Sequence, residues 1–161
     1  MGLSRRWYAV LGAACALIAG GIAAAAVLTF SGTSAAAPTK AEYFAEVAAI
    51  CRVYGPKLDK IPPPADLGIP SELAAAARKV LPVLQAESKA VRRLVPPREL
   101  RAKLARWSKL NDESVSKLAA VLPAARETNL RAVQISYVSF LVTGARAQRL
   151  GKSIGFPSPP C

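Results

Sequence analysis

The chain has 161 residues, of which only 6% are aromatic, and alanine is its commonest residue, a composition that favours an all-α fold. It contains 22 basic and 10 acidic residues, a formal net charge of +12, and no histidine. The absence of histidine excludes the commonest general base, the commonest ligand of transition metals and the usual switch at neutral pH.

Residues 7–30 form an uncharged apolar run that follows Arg5 and Arg6. Its 24 residues slightly exceed the about 20 that a helix needs to cross a bilayer. Basic residues before the run, and none after it until Lys40, predict a cytoplasmic N-terminus in a single-pass protein of the cell membrane. The predicted segments are a cytoplasmic N-terminus (1–6), a transmembrane anchor (7–30), a linker (31–38) and an extracytoplasmic domain (39–161).

The alternative is a signal segment that is cleaved to release a secreted domain. Small residues between Ser31 and Pro38 suit a signal peptidase. The apolar part of a signal peptide usually has only about 7–15 residues, and a cut after Ala37 would place Pro38 beside the scissile bond. Because a cut after Ala36 avoids that problem, the secreted form stays an alternative to the anchor.

Four segments of the domain repeat apolar residues at three- and four-residue steps, the periodicity of helices with one buried face. Thr39 and Glu42 have the spacing of a capping box at the start of the first helix. Ser71 is predicted to cap the second helix and Pro97 to open the third. Gly151 is predicted to end the fourth.

Prolines separate or interrupt these segments. We expect Pro82 to bend or break the second helix, because an internal proline removes a backbone hydrogen bond. The stretch from Pro123 to Asn129 is expected to form the turn before the fourth helix. The predicted fold class is therefore all-α, with an N-terminal transmembrane helix followed by an antiparallel up-down-up-down four-helix bundle.

Two cysteines, Cys51 and Cys161, lie beyond the apolar run, whereas Cys15 lies inside it. Outside the cytoplasm such a pair is usually oxidised. In an antiparallel bundle the fourth helix ends near the start of the first, and Cys51 lies about 18 Å along that helix. The tail from Lys152 to Cys161 spans about 30 Å when extended. The sequence predicts a disulfide between Cys51 and Cys161, with intermolecular pairing or free thiols as alternatives.

The chain combines a membrane-inserting start, Cys51 in the first helix, proline-rich breaks, and Leu150-Gly151 followed by Cys161. In these features it resembles uncharacterised exported helical proteins of GC-rich bacterial genomes. The resemblance covers most of the chain and rests on composition. It implies no activity, so it assigns no role to any residue.

No catalytic or metal-binding pattern stands out, and we expect neither enzymatic activity nor a cofactor. Ser-Lys pairs occur at 88–89, 108–109 and 116–117, but adjacent side chains on a helix point about 100° apart. These serines are expected on solvated faces. A carboxylate metal site in a bundle would require Glu-x-x-His pairs, and the chain has no histidine.

The strongest feature is a basic stretch from Arg78 to Lys109, in which ten cations are opposed only by Glu87 and Glu99. It is interpreted either as a solvated helix face or as a surface that docks on lipid headgroups, an anionic envelope polymer or an acidic protein. Nucleic acid is not expected, because the domain is exported and the stretch has few aromatic side chains for base stacking. The residues predicted to meet the anionic surface are Arg92, Arg93, Arg98 and Arg101.

These features predict a membrane-tethered, extracytoplasmic binding or scaffolding module. They leave its ligand and its oligomeric state open. A first alternative is a carrier of a lipid or small apolar ligand, with a cavity lined by Leu84, Trp107 and Tyr137. A second alternative is the cleaved, secreted domain, of unknown activity.

Overall fold

The computed structural model describes residues 37–156. In this range the chain is helical and has no strand, which confirms the all-α prediction for these residues. The predicted N-terminal segment, the anchor, most of the linker and Cys161 lie outside the described range. Not one of the helices between residues 37 and 156 is long and apolar enough to cross a bilayer. The helices are α1 (Lys40–Asp59), α2 (Pro70–Arg92), a 3-10 turn (Arg98–Leu100), α3 (Arg101–Arg126) and α4 (Leu130–Ile154).

The start of α1 is confirmed as a capping box. The backbone N–H of Glu42 donates to Thr39 Oγ1 at 3.2 Å, and the backbone N–H of Thr39 donates to Glu42 Oε2 at 2.7 Å. The predicted cap of α2 is wrong. Ile69 occupies the N-cap position and Pro70 begins the helix, so Ser71 already lies inside it. The fixed φ of a proline suits the first position of a helix, which explains why α2 begins without a side-chain cap.

The end of α4 also differs from the prediction, because Gly151 lies inside the helix and Gly155 ends it. Gly155 has a φ of 101° and donates its N–H to the carbonyl of Lys152 at 3.1 Å. The N–H of Phe156 donates to the carbonyl of Gly151 at 3.1 Å. These two bonds form a Schellman motif. Gly151 serves packing instead, since a Cβ there would lie 3.1 Å from Phe156 Cδ2 and 3.2 Å from Trp107 Nε1.

The expected break at Pro82 and the expected turn beginning at Pro123 are wrong, whereas a bend at Pro82 stays a prediction. Pro82 lies inside the continuous helix α2, and Pro123 lies inside α3, which continues to Arg126. Both prolines are exposed. On the solvent side of a helix, water can hydrate the carbonyl that loses its N–H partner, so the helix continues past the ring.

Two clusters of buried side chains hold the helices together, one toward each end of the bundle. In both of them the start of one helix meets the end of another, as an antiparallel arrangement requires. The Leu73 cluster joins the first half of α2, the end of α3 and the first half of α4, through Leu73, Ala74, Ala77, Leu81, Leu118, Val121, Ala124, Val133 and Tyr137. The Tyr43 cluster joins the start of α1, the 3-10 turn, the start of α3 and the end of α4, through Tyr43, Val47, Leu100, Leu104, Ile154 and Phe156.

Helix α1 is attached to the bundle through its first half. Tyr43 and Val47 are buried, whereas the residues after Cys51 are exposed or half-buried. Most of the helix packing is between α3 and α4 and between α2 and α3, and α1 packs mainly on α2. The fold is therefore a core of three long helices, with the start of α1 closing one end.

Gly155→Ala should lower the free energy of unfolding by about 1–2 kcal/mol, because the left-handed conformation is unfavourable for a residue with a Cβ. The comparison variant Gly55→Ala adds a Cβ inside α1 that would meet no atom within 4 Å beyond its chain neighbours, but the following Pro56 makes the helical conformation less favourable for a residue with a Cβ. The two effects oppose each other, so Gly55→Ala should change the free energy of unfolding by less than about 1 kcal/mol. Urea unfolding followed by circular dichroism measures both, and a loss at Gly155→Ala no larger than the change at Gly55→Ala would contradict the assigned end of α4.

Candidate functional site

The connection between α2 and α3 brings the four predicted arginines to one end of the bundle. Arg92 is the last residue of α2 and Arg93 follows it. Arg98 begins the 3-10 turn and Arg101 begins α3. All four side chains are exposed. The predicted site residues therefore lie on one short segment of surface.

Buried apolar residues fix the backbone of this segment. Pro97 is buried, and its carbonyl accepts the N–H of Leu100 at 3.1 Å. Leu100 is itself buried in the Tyr43 cluster, against which Leu94 also packs. Because the apolar side chains point into the core, the arginines between them point to solvent. The position of the positive charge thus follows from the packing of its neighbours.

Only one of the four arginines has a carboxylate partner within the described residues. Arg92 Nη1 donates to Asp112 Oδ1 at 2.7 Å, in a pair whose two side chains are about half exposed. Such a surface pair contributes little to stability. Across residues 37–156, Arg93, Arg98 and Arg101 have no carboxylate oxygen within 4.0 Å. Three positive charges at this end are therefore left to solvent.

Two of these charges lie at the less favourable end of a helix. Arg98 and Arg101 flank the N-terminus of α3, where the partial charge of the helix dipole is positive. The first turn of α3 contains no acidic residue, and Leu100 at its N-cap provides no side-chain hydrogen bond. The exposed Glu99, in the 3-10 turn before α3, is the one carboxylate between these two arginines in sequence. A cation in such a position costs stability, by about 0.3–1 kcal/mol. The same combination of cations and backbone N–H groups suits an anion.

The fold adds cations to this end that the sequence analysis missed. Lys40 begins α1, Lys152 lies in the last turn of α4, and Arg149 lies one turn before it. An added Cβ on Gly155 would lie 3.5 Å from Lys40 Nζ, so the start of α1 adjoins the end of α4. We define the basic end as Lys40, Arg92, Arg93, Arg98, Arg101, Arg149 and Lys152.

The ten-cation stretch is not a single patch. Arg78 and Lys79 lie about 20 Å from Arg92 along α2, toward the opposite end of the bundle. The sequence signal for the missed cations is the composition of α4, which contains basic residues and no acidic one.

Glu87 does not oppose the surface cations as its position in the sequence suggested. Its Oε2 atom is buried and has no hydrogen-bond partner within the described range. Burial raises the pKa of this carboxyl from 4.5 to about 7. Near neutral pH Glu87 is therefore only partly ionised and carries less than a full negative charge.

The expectation of solvated serines is wrong for Ser88. This side chain is buried, and its Oγ accepts a hydrogen bond from Asn111 Nδ2 at 2.8 Å. It joins α2 to α3, whereas the adjacent Lys89 is exposed. Within residues 37–156, no three carboxylate or thiol side chains are grouped so that they could hold a metal ion.

The three residues proposed to line a ligand cavity are divided between the two clusters. Trp107 packs on the Tyr43 cluster, with its ring centroid 4.9 Å from that of Phe156. Tyr137 belongs to the Leu73 cluster and Leu84 packs against it. Trp107 therefore packs in a different cluster from Leu84 and Tyr137, and the carrier stays an alternative.

The predicted disulfide is within reach of the chain. Cys51 is half-buried and packs against the Tyr43 cluster, and Phe156 contacts the start of α1, with its ring centroid 5.3 Å from that of Phe44. Cys51 lies about 10 Å beyond Phe44 along the helix. The five residues that follow Phe156, up to and including Cys161, span up to about 17 Å when extended. Cys161 lies outside the described residues, so the pairing stays a prediction.

The chain matches no known protein family, and no curated protein and no solved structure is similar to it.

Glu87→Gln should change how stability depends on pH. In the folded state Glu87 keeps its proton up to a pKa of about 7, whereas the unfolded carboxyl loses it near 4.5. The native chain therefore binds the extra proton, and the free energy of unfolding should fall by up to about 3 kcal/mol as the pH rises between these values. Urea unfolding across this range should show that the glutamine variant loses most of this decline. The exposed control Glu113→Gln should retain it, and equal slopes in both variants would contradict the burial of Glu87.

Non-reducing peptide mapping should join Cys51 to Cys161 within one chain. Cys161→Ser should lower the free energy of unfolding by about 2–4 kcal/mol, because the bond restricts the unfolded chain. Its helical circular dichroism should change little, since both core clusters lie within residues 37–156. Cys15→Ser serves as the control and should leave stability unchanged. Alkylation of both Cys51 and Cys161 without prior reduction would refute the disulfide.

Proposed function

We propose that the chain is a membrane-tethered, extracytoplasmic helical module whose basic end docks on anionic lipid headgroups. The observation that carries this proposal is the exposed group of Arg93, Arg98 and Arg101, which have no carboxylate partner within residues 37–156. Two of these residues lie where a cation destabilises α3. A bound ligand would offset this cost in stability. Because the surface is positive, we expect that ligand to be anionic.

The predicted tether favours a lipid surface as the ligand. Helix α1 begins with Lys40, at the same end as the arginines. In this proposal residues 7–30 cross the bilayer, and the linker 31–38 reaches no more than about 28 Å. The basic end is then held close to the headgroups.

The strength of the attraction between the basic end and anionic headgroups limits what the basic end can do. A cation near an anionic membrane contributes about 1 kcal/mol, and screening reduces the effect beyond about 8 Å at physiological ionic strength. Several cations together are sufficient to orient a tethered domain and insufficient to replace its anchor. We therefore propose that the basic end sets the orientation of the module, so that its other faces are presented to partners.

The proposed disulfide fits this role. It would hold the chain after Phe156 along α1, and Phe156 already packs against Tyr43 and Phe44 at the basic end. A covalent link at this position would keep α1 and α4 together while the domain contacts the membrane. The exported compartment proposed here is one in which such a bond persists.

The domain from Thr39 to Cys161, mixed with vesicles across a salt series, tests this function. This fragment contains both core clusters, and circular dichroism verifies its folding. Binding should require anionic lipid and weaken as salt rises. Replacing Arg92, Arg93, Arg98 and Arg101 by glutamine should weaken it by about tenfold or more, given the contribution of each cation.

A matched control removes the same charge elsewhere. Arg52, Arg78, Lys79 and Arg126 are exposed residues outside the basic end, and their replacement by glutamine should weaken binding much less. Equal binding to neutral vesicles, or an equal loss in the two variants, would refute docking through the basic end.

A further inference from the structure

The outer face of α4 carries an apolar stripe that no other helix of the described chain covers. Ile135, Val138 and Val142 have exposed fractions of 55%, 54% and 47%. Their spacing of three and four residues places them on one side of the helix. The buried residues of α4, such as Val133 and Tyr137, lie on the opposite side, in contact with α2 and α3. Because α1 packs on α2, the stripe is left facing solvent.

Cations lie at both ends of this stripe. Arg131 precedes it by one turn, and Arg146 and Arg149 follow it on the same side of the helix. All three side chains are exposed, and α4 contains no acidic residue. The α4 face, defined as Arg131, Ile135, Val138, Val142, Arg146 and Arg149, is thus apolar at its centre and positive at its ends.

This charge pattern disfavours a second copy of the chain as the occupant. In an antiparallel pair of α4 helices, Arg131 of one copy would lie near Arg146 and Arg149 of the other. In a parallel pair, each arginine would lie near its own equivalent. Like charges in contact are unfavourable in both arrangements. The complementary surface is therefore negative.

The shape of the face favours a bilayer over a protein groove. Its apolar centre is a convex row of short β-branched side chains, without the large aromatic anchors that typically dominate protein interfaces. An amphipathic helix with a basic border lies in the membrane interface with its apolar side in the boundary between headgroups and acyl chains. Arg149 also belongs to the basic end, so the α4 face is continuous with the surface already proposed to meet lipid.

We propose that the module lies on the anionic bilayer along α4, with Ile135, Val138 and Val142 in the headgroup boundary and the flanking arginines on lipid phosphates. This inference rests on the proposed function and extends it from one end of the bundle to a specific side. Contact along α4 would leave the outer face of α3, which includes Ser116 and Lys117, directed away from the membrane.

Photo-crosslinking of the full chain tests the inference. A benzophenone amino acid replaces Val138, and in the control variant it replaces Ser116, which is exposed on α3. Both variants are reconstituted in nanodiscs of phosphatidylcholine, with or without phosphatidylglycerol. Mass spectrometry should detect lipid adducts at position 138 when phosphatidylglycerol is present, and far fewer at position 116 or in neutral discs.

Replacing Arg131, Arg146 and Arg149 by glutamine should reduce the adducts at position 138 by about tenfold, through the loss of three phosphate contacts. The same experiment with the benzophenone at Ile135 guards against a local folding defect and should give the same result.

Four outcomes would overturn the inference. Chain-to-chain adducts at position 138 would identify a self-interface. When the same variant is crosslinked in native membranes, adducts to another protein would identify a protein partner. Equal lipid labelling at positions 116 and 138 would show that the domain has no preferred side. If no lipid adducts form at positions 135 and 138 but arginine-dependent vesicle binding persists, only the proposed membrane contact along the α4 face is refuted. Loss of that vesicle binding would refute the proposed function instead.

Discussion

The basic end depends on the close approach of α3, α4 and the chain that follows α4. Gly151 has no side chain, which leaves room for Trp107 and Phe156 to pack over the helix. The left-handed Gly155 then turns the chain so that Phe156 enters the Tyr43 cluster beside the start of α1. These ring contacts bring the first and last described helices together, and the buried Leu100, beside which the arginines lie, belongs to the same cluster.

The electrostatics of the domain are unfavourable at two positions, and the two have different causes. Arg98 and Arg101 repel the positive end of the α3 dipole but remain in water, so the cost is small and a bound anion would relieve it. Glu87 is instead removed from water with an unpartnered oxygen, and the domain relieves this cost by holding the proton. The exposed arginines can therefore bind a ligand, whereas the buried Glu87 affects only the packing and stability of the domain.

In the function proposed here, the basic end and the α4 face together define one orientation of the module. The first lies where the predicted tether enters, and the second extends from it along a whole helix. A domain held by its N-terminal segment is restricted in distance from the bilayer but free to rotate. Charges at one end restrict its tilt, and an apolar stripe along one side restricts its rotation, so together they would present the outer face of α3 to the surroundings.

Local sequence predicted the helical class, the capping box at Thr39 and the convergence of four arginines, because caps and periodicity depend on residues within a few positions of each other. Local sequence did not predict the role of Gly151, the continuity of α2 through Pro82 or the burial of Glu87. A glycine or a proline has the same local signature whether it ends a helix or lies within one, and only the neighbouring helices decide which. Periodicity likewise shows that a helix has an apolar side, but tertiary packing decides how much of it is covered. For that reason the exposed stripe of α4 became visible only in the folded structure.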